Sequence, residues 1–344
     1  MRLGLMTPGL GYGDAIGVDV LGMFAECQKV SPNVFIFTPH GTSSTALPTY
    51  HYADTRWLLP NPDDLLIYHY GTWDPSALRE MRRQKCRIAV KFHNVTPSKF
   101  MMPYSVEFSA ATRHAYDDIG ELLELPVELF LCDSEFNASE LHALGAPKDR
   151  TITVPCFHSA EGLLHEKEDE VTLSQLRSHA FNILTVSRLV PNKNFEEMLA
   201  CLDALVRQRR FFGCLHIVGS RDARLKAYTD DLDAYIADTS LARHVVFHGA
   251  VRPSTLATLY RHSDLYWTTS QHEGLGVPLI EAMAFGKPIM SSTKAALRET
   301  CGDVALYADT TDETVETLTK ILEDDKALML TGGPVEVGVT IEGG

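Results

Sequence analysis

No apolar run in this chain approaches the ~18 residues a helix needs to cross a bilayer. The opening segment, MRLGLMTPGLGYG, is broken by proline and glycine too early for a signal peptide, so the sequence points to a cytoplasmic protein. Cysteine is sparse and unpatterned. The seven residues (27, 86, 132, 156, 201, 214 and 301) are odd in number and form no CxxC, which argues against a disulfide framework or a zinc site and for reduced thiols. Positive charge is short as well: 31 basic residues face 45 acidic ones, for a net charge of −14. Both halves are acidic, which disfavours a dedicated nucleic-acid binder. An acidic protein that handles an anionic substrate must gather one positive pocket against its own field.

What is present is ample apolar content, 45% of 344 residues, enough for two buried cores. Short apolar runs alternate with helical patterns throughout. Strand candidates are Arg2–Thr7, Asn33–Pro39, Leu65–Gly71, Arg87–His93, Leu129–Ser134 and Thr151–Pro155, then Phe181–Ser187, Cys214–Gly219, His244–Gly249, Leu265–Ser270, Pro288–Ser292 and Ala305–Tyr307. Their β-branched, barely alternating character suits parallel strands buried on both faces. Residues 194–209 carry Phe195, Met198, Leu199, Leu202 and Leu205 on one stripe, and Asn194 with Glu197 has the spacing of a capping box. The segment 159–180 holds the charge run EKEDE and reads as a linker or surface helix. The expected organisation is therefore α/β, with two facing doubly wound parallel-sheet, Rossmann-like domains. Residues 1–158 form the first domain and 181–344 the second, with a short irregular tail, LTGGPVEVGVTIEGG. An active site is expected in the cleft between the two.

Two local patterns carry chemistry. The first runs from Ser270 through Glu273, Gly274, Gly276, Pro278 and Glu281 to Gly286. A strand ends, a glycine-rich turn follows, and Pro278 sits where a first helical turn tolerates it. The glycines allow close backbone approach, and free N–H groups at a helix start can hold an anion. Glu273 and Glu281, one on each side of that helix start, suit a ligand with hydroxyls at both ends of a phosphate, such as a nucleotide sugar. The alternative is a capped core helix with a solvated glutamate. In the second pattern a strand runs into Arg188-Leu-Val-Pro-Asn-Lys193, placing two cations at a strand's C-terminal edge, where ligands of open α/β sheets bind. Taken alone they read as ordinary surface cations. With the helix start they would balance a diphosphate leaving group.

In that order, the Arg-x-x-x-x-Lys loop and the Glu–seven residues–Glu element resemble glycosyltransferase family 4, group 1 type: retaining enzymes of GT-B fold that use nucleotide-diphospho-sugars. Gly219 after a strand, Val246-Phe-His-Gly249, and Glu281-Ala-Met-Ala with Gly286-x-Pro288 support the resemblance. It covers roughly residues 181–323 and extends more loosely over 87–144, where FHNVTPSKF and CDSEFNASEL look like members that build cell-envelope polysaccharides. The resemblance implies that Arg188 and Lys193 bind the diphosphate and Glu273 the sugar hydroxyls. The amides of Leu275–Val277 would touch sugar and β-phosphate, Glu281 the ribose, and the backbone at Val251 the base edge. His93 would contact the donor sugar, and Gly11 and Gly13 would lie near the phosphates. Ser187 departs from the pattern, since relatives usually carry glycine before the arginine.

The implied activity is transfer of a hexose from a UDP- or GDP-sugar to a saccharide or lipid-linked acceptor, without a metal or other cofactor. The alternatives are a sugar-nucleotide epimerase or phosphorylase on the same fold, or a non-catalytic nucleotide-sugar-binding subunit. Four further features have weaker claims. Gly9, Gly11, Gly13 and Gly17 do not have GxGxxG spacing, and no carboxylate ends the second strand, so a dinucleotide site is disfavoured. His69, at a strand end, is a lesser acceptor-side candidate. Arg79, Arg82, Arg83, Lys85 and Arg87 read either as a solvated helix end or as a docking patch for an anionic membrane surface. Asp231-Leu-Asp233 spells DxD, a metal signature of a different glycosyltransferase fold, but lies in a helical stretch and is read as surface.

Overall fold

The structure, a computed structural model, describes residues 1–11, 14–41, 45–208 and 210–323. Gly13 and the tail after Glu323 therefore lie outside the described residues. The chain divides into two compact units: Met1–His158 with Glu273–Leu275, and Ser159–His272 with the residues from Gly276 onward.

The first unit is built on β1 (Leu3–Met6), β2 (Val34–Thr38), β3 (Thr49–His51), β4 (Leu65–Tyr70), β5 (Arg87–Phe92), β6 (Val127–Cys132) and β7 (Thr151–Thr153). They form one sheet in the order β3-β2-β1-β4-β5-β6-β7, every pairing parallel. The second unit carries β8 (Asn182–Val186), β9 (Cys214–Val218), β10 (Val245–Gly249), β11 (Leu265–Trp267), β12 (Ile289–Ser291) and β13 (Ala305–Tyr307). Their order is β10-β9-β8-β11-β12-β13, again all parallel. Each sheet reverses its strand order beside its first strand, at β1/β4 and at β8/β11. Outside the carboxyl ends of the strands at such a point lies the usual ligand crevice of an open α/β sheet.

The twelve expected strands are present. β3 is a thirteenth: Thr-Tyr-His, an edge strand with no apolar run to announce it. In the first core Tyr68, Val90, Phe92 and Phe130 are buried; in the second, Leu184, Tyr260, Tyr266 and Leu279. The helix Phe195–Arg207 buries Phe195, Met198, Leu199, Leu202 and Leu205, as its stripe requires. Its start corrects the capping-box reading. Asn194 adopts φ +58°, ψ +46°, and in this left-handed conformation its side chain caps no backbone N–H but donates to the Glu197 carboxylate. The segment 159–180 forms the helices Ala160–Leu164 and Glu170–Leu176. They lie within the second unit and bury Leu163, Leu173 and Leu176, so the apolar side chains, rather than the charge run, decide where the segment packs. All seven cysteines are unpaired. Among the described residues, no helix is long and apolar enough to cross a membrane.

Candidate functional site

In the second unit the loops after β8 and β11 flank the strand-order reversal and are laced together. The loop after β8 is pinned first: Ser187 N donates to Val218 O at 2.9 Å and Leu189 N to Ser220 O at 3.0 Å, leaving Arg188 exposed between them. Gly219 makes that approach feasible. Its φ is +152°, and a Cβ there would lie 1.8 Å from Ser187 O. A short 3₁₀ turn, Pro191–Lys193, follows. Asn192 Nδ2 donates to His272 O at 3.0 Å, and Asn192 O accepts Gln271 N at 2.8 Å. Thr269 Oγ1 contacts Lys193 O at 3.0 Å and Asn194 O at 2.9 Å. The sequence thus brings the half-buried Lys193 to the strand end from which the glycine-rich turn departs.

That turn ends in the helix Val277–Ala284, entered through Gly276 at φ +88° with no side-chain cap on its first N–H groups and Pro278 in the first turn. Pro278 has no N–H and Leu279 N donates to Gly276 O at 2.9 Å, so the Val277 N–H and the positive end of the helix dipole are what this end offers an anion. Glu281 lies deeper than a solvated helix residue: it is 6% exposed, Oε2 accepts Tyr260 OH at 2.8 Å, and Oε1 accepts Ser159 Oγ at 3.3 Å. Burial raises its pKa above the ordinary glutamate value, against the pull of those two hydrogen bonds. Both oxygens therefore already have a protein partner, a fact the spacing of the two glutamates did not disclose. Val251 follows β10, partly buried against the second core.

In the first unit, His93 follows β5 directly and sits in a buried polar cluster. Its Nδ1 lies 3.0 Å from Asp133 Oδ2, and its Nε2 lies 2.9 Å from His69 Nδ1. Asp133 Oδ1 is paired with the fully buried Lys91 ammonium at 2.8 Å, and Lys91 also donates to Val154 O. Asp19, in the helix Ala15–Val30, places Oδ2 3.3 Å from His69 Nδ1 and 3.5 Å from His93 Nε2, while Oδ1 accepts Phe157 N at 2.7 Å. Burial works to raise the Asp19 carboxyl, yet its contact with His69 and the nearby Lys91 ammonium hold it below its ordinary value. Burial pushes His69 down to about 4, so its ring is neutral at working pH. The donor atoms of Asp19, His69 and His93 all fall within 4.8 Å of one another, a grouping able to hold a cation. Asp19, Lys91 and Asp133 were missed from sequence. The legible signal was a lysine in the apolar, buried part of the strand RIAVKF, beyond its exposed Arg87. Gly11 lies against the first turn of the helix Ala15–Val30, where a Cβ on Gly17 would come within 2.4 Å of Gly11 O.

The weaker features resolve as follows. Asp231 and Asp233 lie within the helix Lys226–Asp238, and Asp233 takes a bidentate pair from Arg221 at 2.5 and 2.8 Å. Of the basic cluster, Arg82, Arg83 and Arg87 are paired with Glu121, Glu80 and Glu128, which cuts its net positive charge.

Residues 167–330 match the family model described as "Glycosyl transferases group 1". The chain is related to the group 1 glycosyl transferases. The matched stretch takes in the Arg188–Lys193 loop and the Glu273–Glu281 element but not His93. Among curated proteins, this glycosyltransferase relative is 26% identical over 268 residues to the O-antigen chain mannosyltransferase B of Escherichia coli, covering 76% of this chain and 66% of that protein. It is 34% identical over 118 residues to an uncharacterised glycosyltransferase of Methanocaldococcus jannaschii, covering 34% and 28%. The chain thus spans about two thirds of the first relative and under a third of the second. Among solved structures it is similar in fold to Anabaena HepE in complex with UDP-glucose, with a TM-score of 0.72, 16% identity, and 96% and 93% of the two chains covered. The two Rossmann-like units make up a GT-B-type fold.

Proposed function

We propose that the protein is a retaining glycosyltransferase that moves a hexose from a UDP- or GDP-sugar to a saccharide or lipid-linked acceptor in cell-surface polysaccharide synthesis. The observation that carries the reading is the lacing of the Arg188–Lys193 loop to the end of β11 through Asn192 and Thr269, at the reversal of strand order. Two cations and an uncapped helix start of this kind match a diphosphate in charge and in donor chemistry. The similarity to a mannosyltransferase and to a protein that holds UDP-glucose supports transfer of a hexose from a nucleotide sugar.

In the proposed reaction the acceptor hydroxyl attacks the anomeric carbon from the face that the diphosphate leaves. The C–O bond to phosphate breaks as the new glycosidic bond forms, and the departing phosphate oxygen takes the acceptor proton, so no strong protein base is needed. Arg188, Lys193 and the amides of Leu275–Val277 offset the charge that develops on the leaving group. Glu273 and His93 orient the sugar, Gly11 lies by the phosphates, Glu281 meets the ribose, and the backbone at Val251 meets the base. With charge supplied by side chains and backbone, the step is written without a metal. The reduced thiols favour the cytoplasm, and a supporting role at the membrane surface would fall to Arg79 and Lys85.

The test is turnover. Incubation of wild type with a UDP- or GDP-sugar and a saccharide acceptor should yield a product with the donor's anomeric configuration. Lys193→Ala should lower kcat by about 10²–10³-fold with little loss of folding, the range for removing one preorganised stabiliser of a developing anion. Near-normal turnover in that variant contradicts the reading. Conversion of the donor without an acceptor would favour an epimerase.

A further inference from the structure

The charges in the buried cluster of the first unit dictate where its protons sit. Asp133 is paired with Lys91 and is therefore a carboxylate, which only accepts hydrogen bonds. The 3.0 Å contact then requires His93 Nδ1 to carry a proton. In that tautomer the lone pair of the ring is on Nε2, and the 2.9 Å contact there is donated by His69 Nδ1–H. Asp19 Oδ2 lies 3.3 Å from the same nitrogen and is a buried acceptor with no hydrogen-bond partner of its own. A hydroxyl donating to His93 Nε2 would leave the His69 N–H to hydrogen-bond Asp19 Oδ2 instead, its proton staying on His69, and no buried donor would be left without a partner. The same three donor atoms would suit a cation only if His69 presented its lone pair at Nδ1. The buried His69 Nε2 would then carry a proton with no acceptor, and the Lys91 ammonium adds repulsion.

We propose that Asp133, held by Lys91, is the positioning residue that fixes His93 as its Nδ1–H tautomer, and that the His69–Asp19 pair keeps the His93 Nε2 lone pair in reserve as the acceptor for a hydroxyl of the transferred sugar. The functional half rests on the reading that His93 orients the donor sugar; the tautomer half does not. Asp133 and Asp19 act through His93 and touch no substrate themselves.

The test combines nitrogen-15 NMR of the histidine rings with steady-state kinetics. Wild type should show His93 protonated at Nδ1. Asp133→Asn should lose that single tautomer and lower kcat by about 10- to 100-fold, the scale of one lost charge-assisted hydrogen bond. Donor KM should stay within about threefold, and in an H93A background the same change should cost less than about twofold. Because D133N strands the Lys91 ammonium, the double variant K91M/D133N serves where D133N fails to fold, and it should show the same kcat loss. A wild-type His93 protonated at Nε2 overturns the proposal, as does a kcat within twofold of wild type in both Asp133 variants. Occupancy of the cluster by added zinc, with His69 and His93 resonances shifting together at one equivalent, also overturns it. Normal kcat in H93A alone overturns the assignment of His93 to the sugar, while the measured tautomer still decides the assignment of Asp133.

Discussion

Gly219→Ala offers a sharp test of how the cation loop is held. At φ +152° an L side chain is strained, and the added Cβ would meet Ser187 O at 1.8 Å, Ser187 C at 2.5 Å and Arg188 N at 3.1 Å. All three are backbone atoms, so no flexible side-chain end can swing away. Strain of this kind costs about 1–3 kcal/mol, and overpacking adds about 1–3 kcal/mol more, for roughly 2–6 kcal/mol together. The bonds from Ser187 N to Val218 O and from Leu189 N to Ser220 O flank the clash, so relief must come by moving Arg188. Urea unfolding should show the loss in stability, and hydrogen exchange should localise it to residues 182–190. Donor affinity should fall with it. Gly120→Ala is the matched control: it lies in the helix Val106–Leu123 with nothing within 4 Å of the added Cβ, and should be neutral or stabilising by about 0.5–1 kcal/mol. A change below about 0.5 kcal/mol in G219A, or an equal change in the control, would refute the reasoning.

Three other outcomes are expected. Thr269→Val removes the hydroxyl shared by Lys193 O and Asn194 O, and should cost about 1–3 kcal/mol of stability in denaturant melts while weakening donor binding. Glu281→Gln should respond to pH with a defined sign. A carboxyl whose folded pKa is raised contributes stability that is complete below its unfolded value, about 4.3, and is lost as pH rises from there through the folded value. Melts at acid and neutral pH should therefore show wild type losing ground to E281Q as pH rises, and a constant difference would contradict the burial argument. Asp231→Asn, at an exposed helical position, should leave transfer rates unchanged, as should a chelator; a chelator-sensitive rate would reopen metal chemistry.

Much of the fold was legible because parallel strands buried on both faces leave uninterrupted apolar runs, and twelve such runs are strands. β3 escaped because a half-exposed edge strand needs no such run. The Asn194–Glu197 spacing suggested a cap but carried no information on φ, and the left-handed Asn194 makes a different bond between the same two side chains. The cation loop and glycine turn were readable because each is contiguous in sequence. What joins them, Asn192 to His272 and Thr269 to Lys193, spans 76–80 residues and follows only from the β8–β11 pairing. The polar cluster around His93 was harder still: Asp19, His69, Lys91 and Asp133 come from one helix and three strands or strand ends, and no local pattern links them. Glu281 showed its place on an apolar helix but not its burial against Tyr260 and Ser159.

The central claim is that Arg188 and Lys193 bind the diphosphate of a nucleotide sugar. Thermal melting of wild type and of the R188A/K193A variant, each with UDP, GDP and their hexose derivatives, with NAD as a control, tests it most directly. A ligand at one hundred times its Kd stabilises the folded state by about 2.7 kcal/mol. The account predicts that at least one UDP or GDP compound raises the wild-type melting temperature, that NAD does not, and that the double variant loses the response. No stabilisation by any nucleoside diphosphate, or an equal response in the variant, would contradict it.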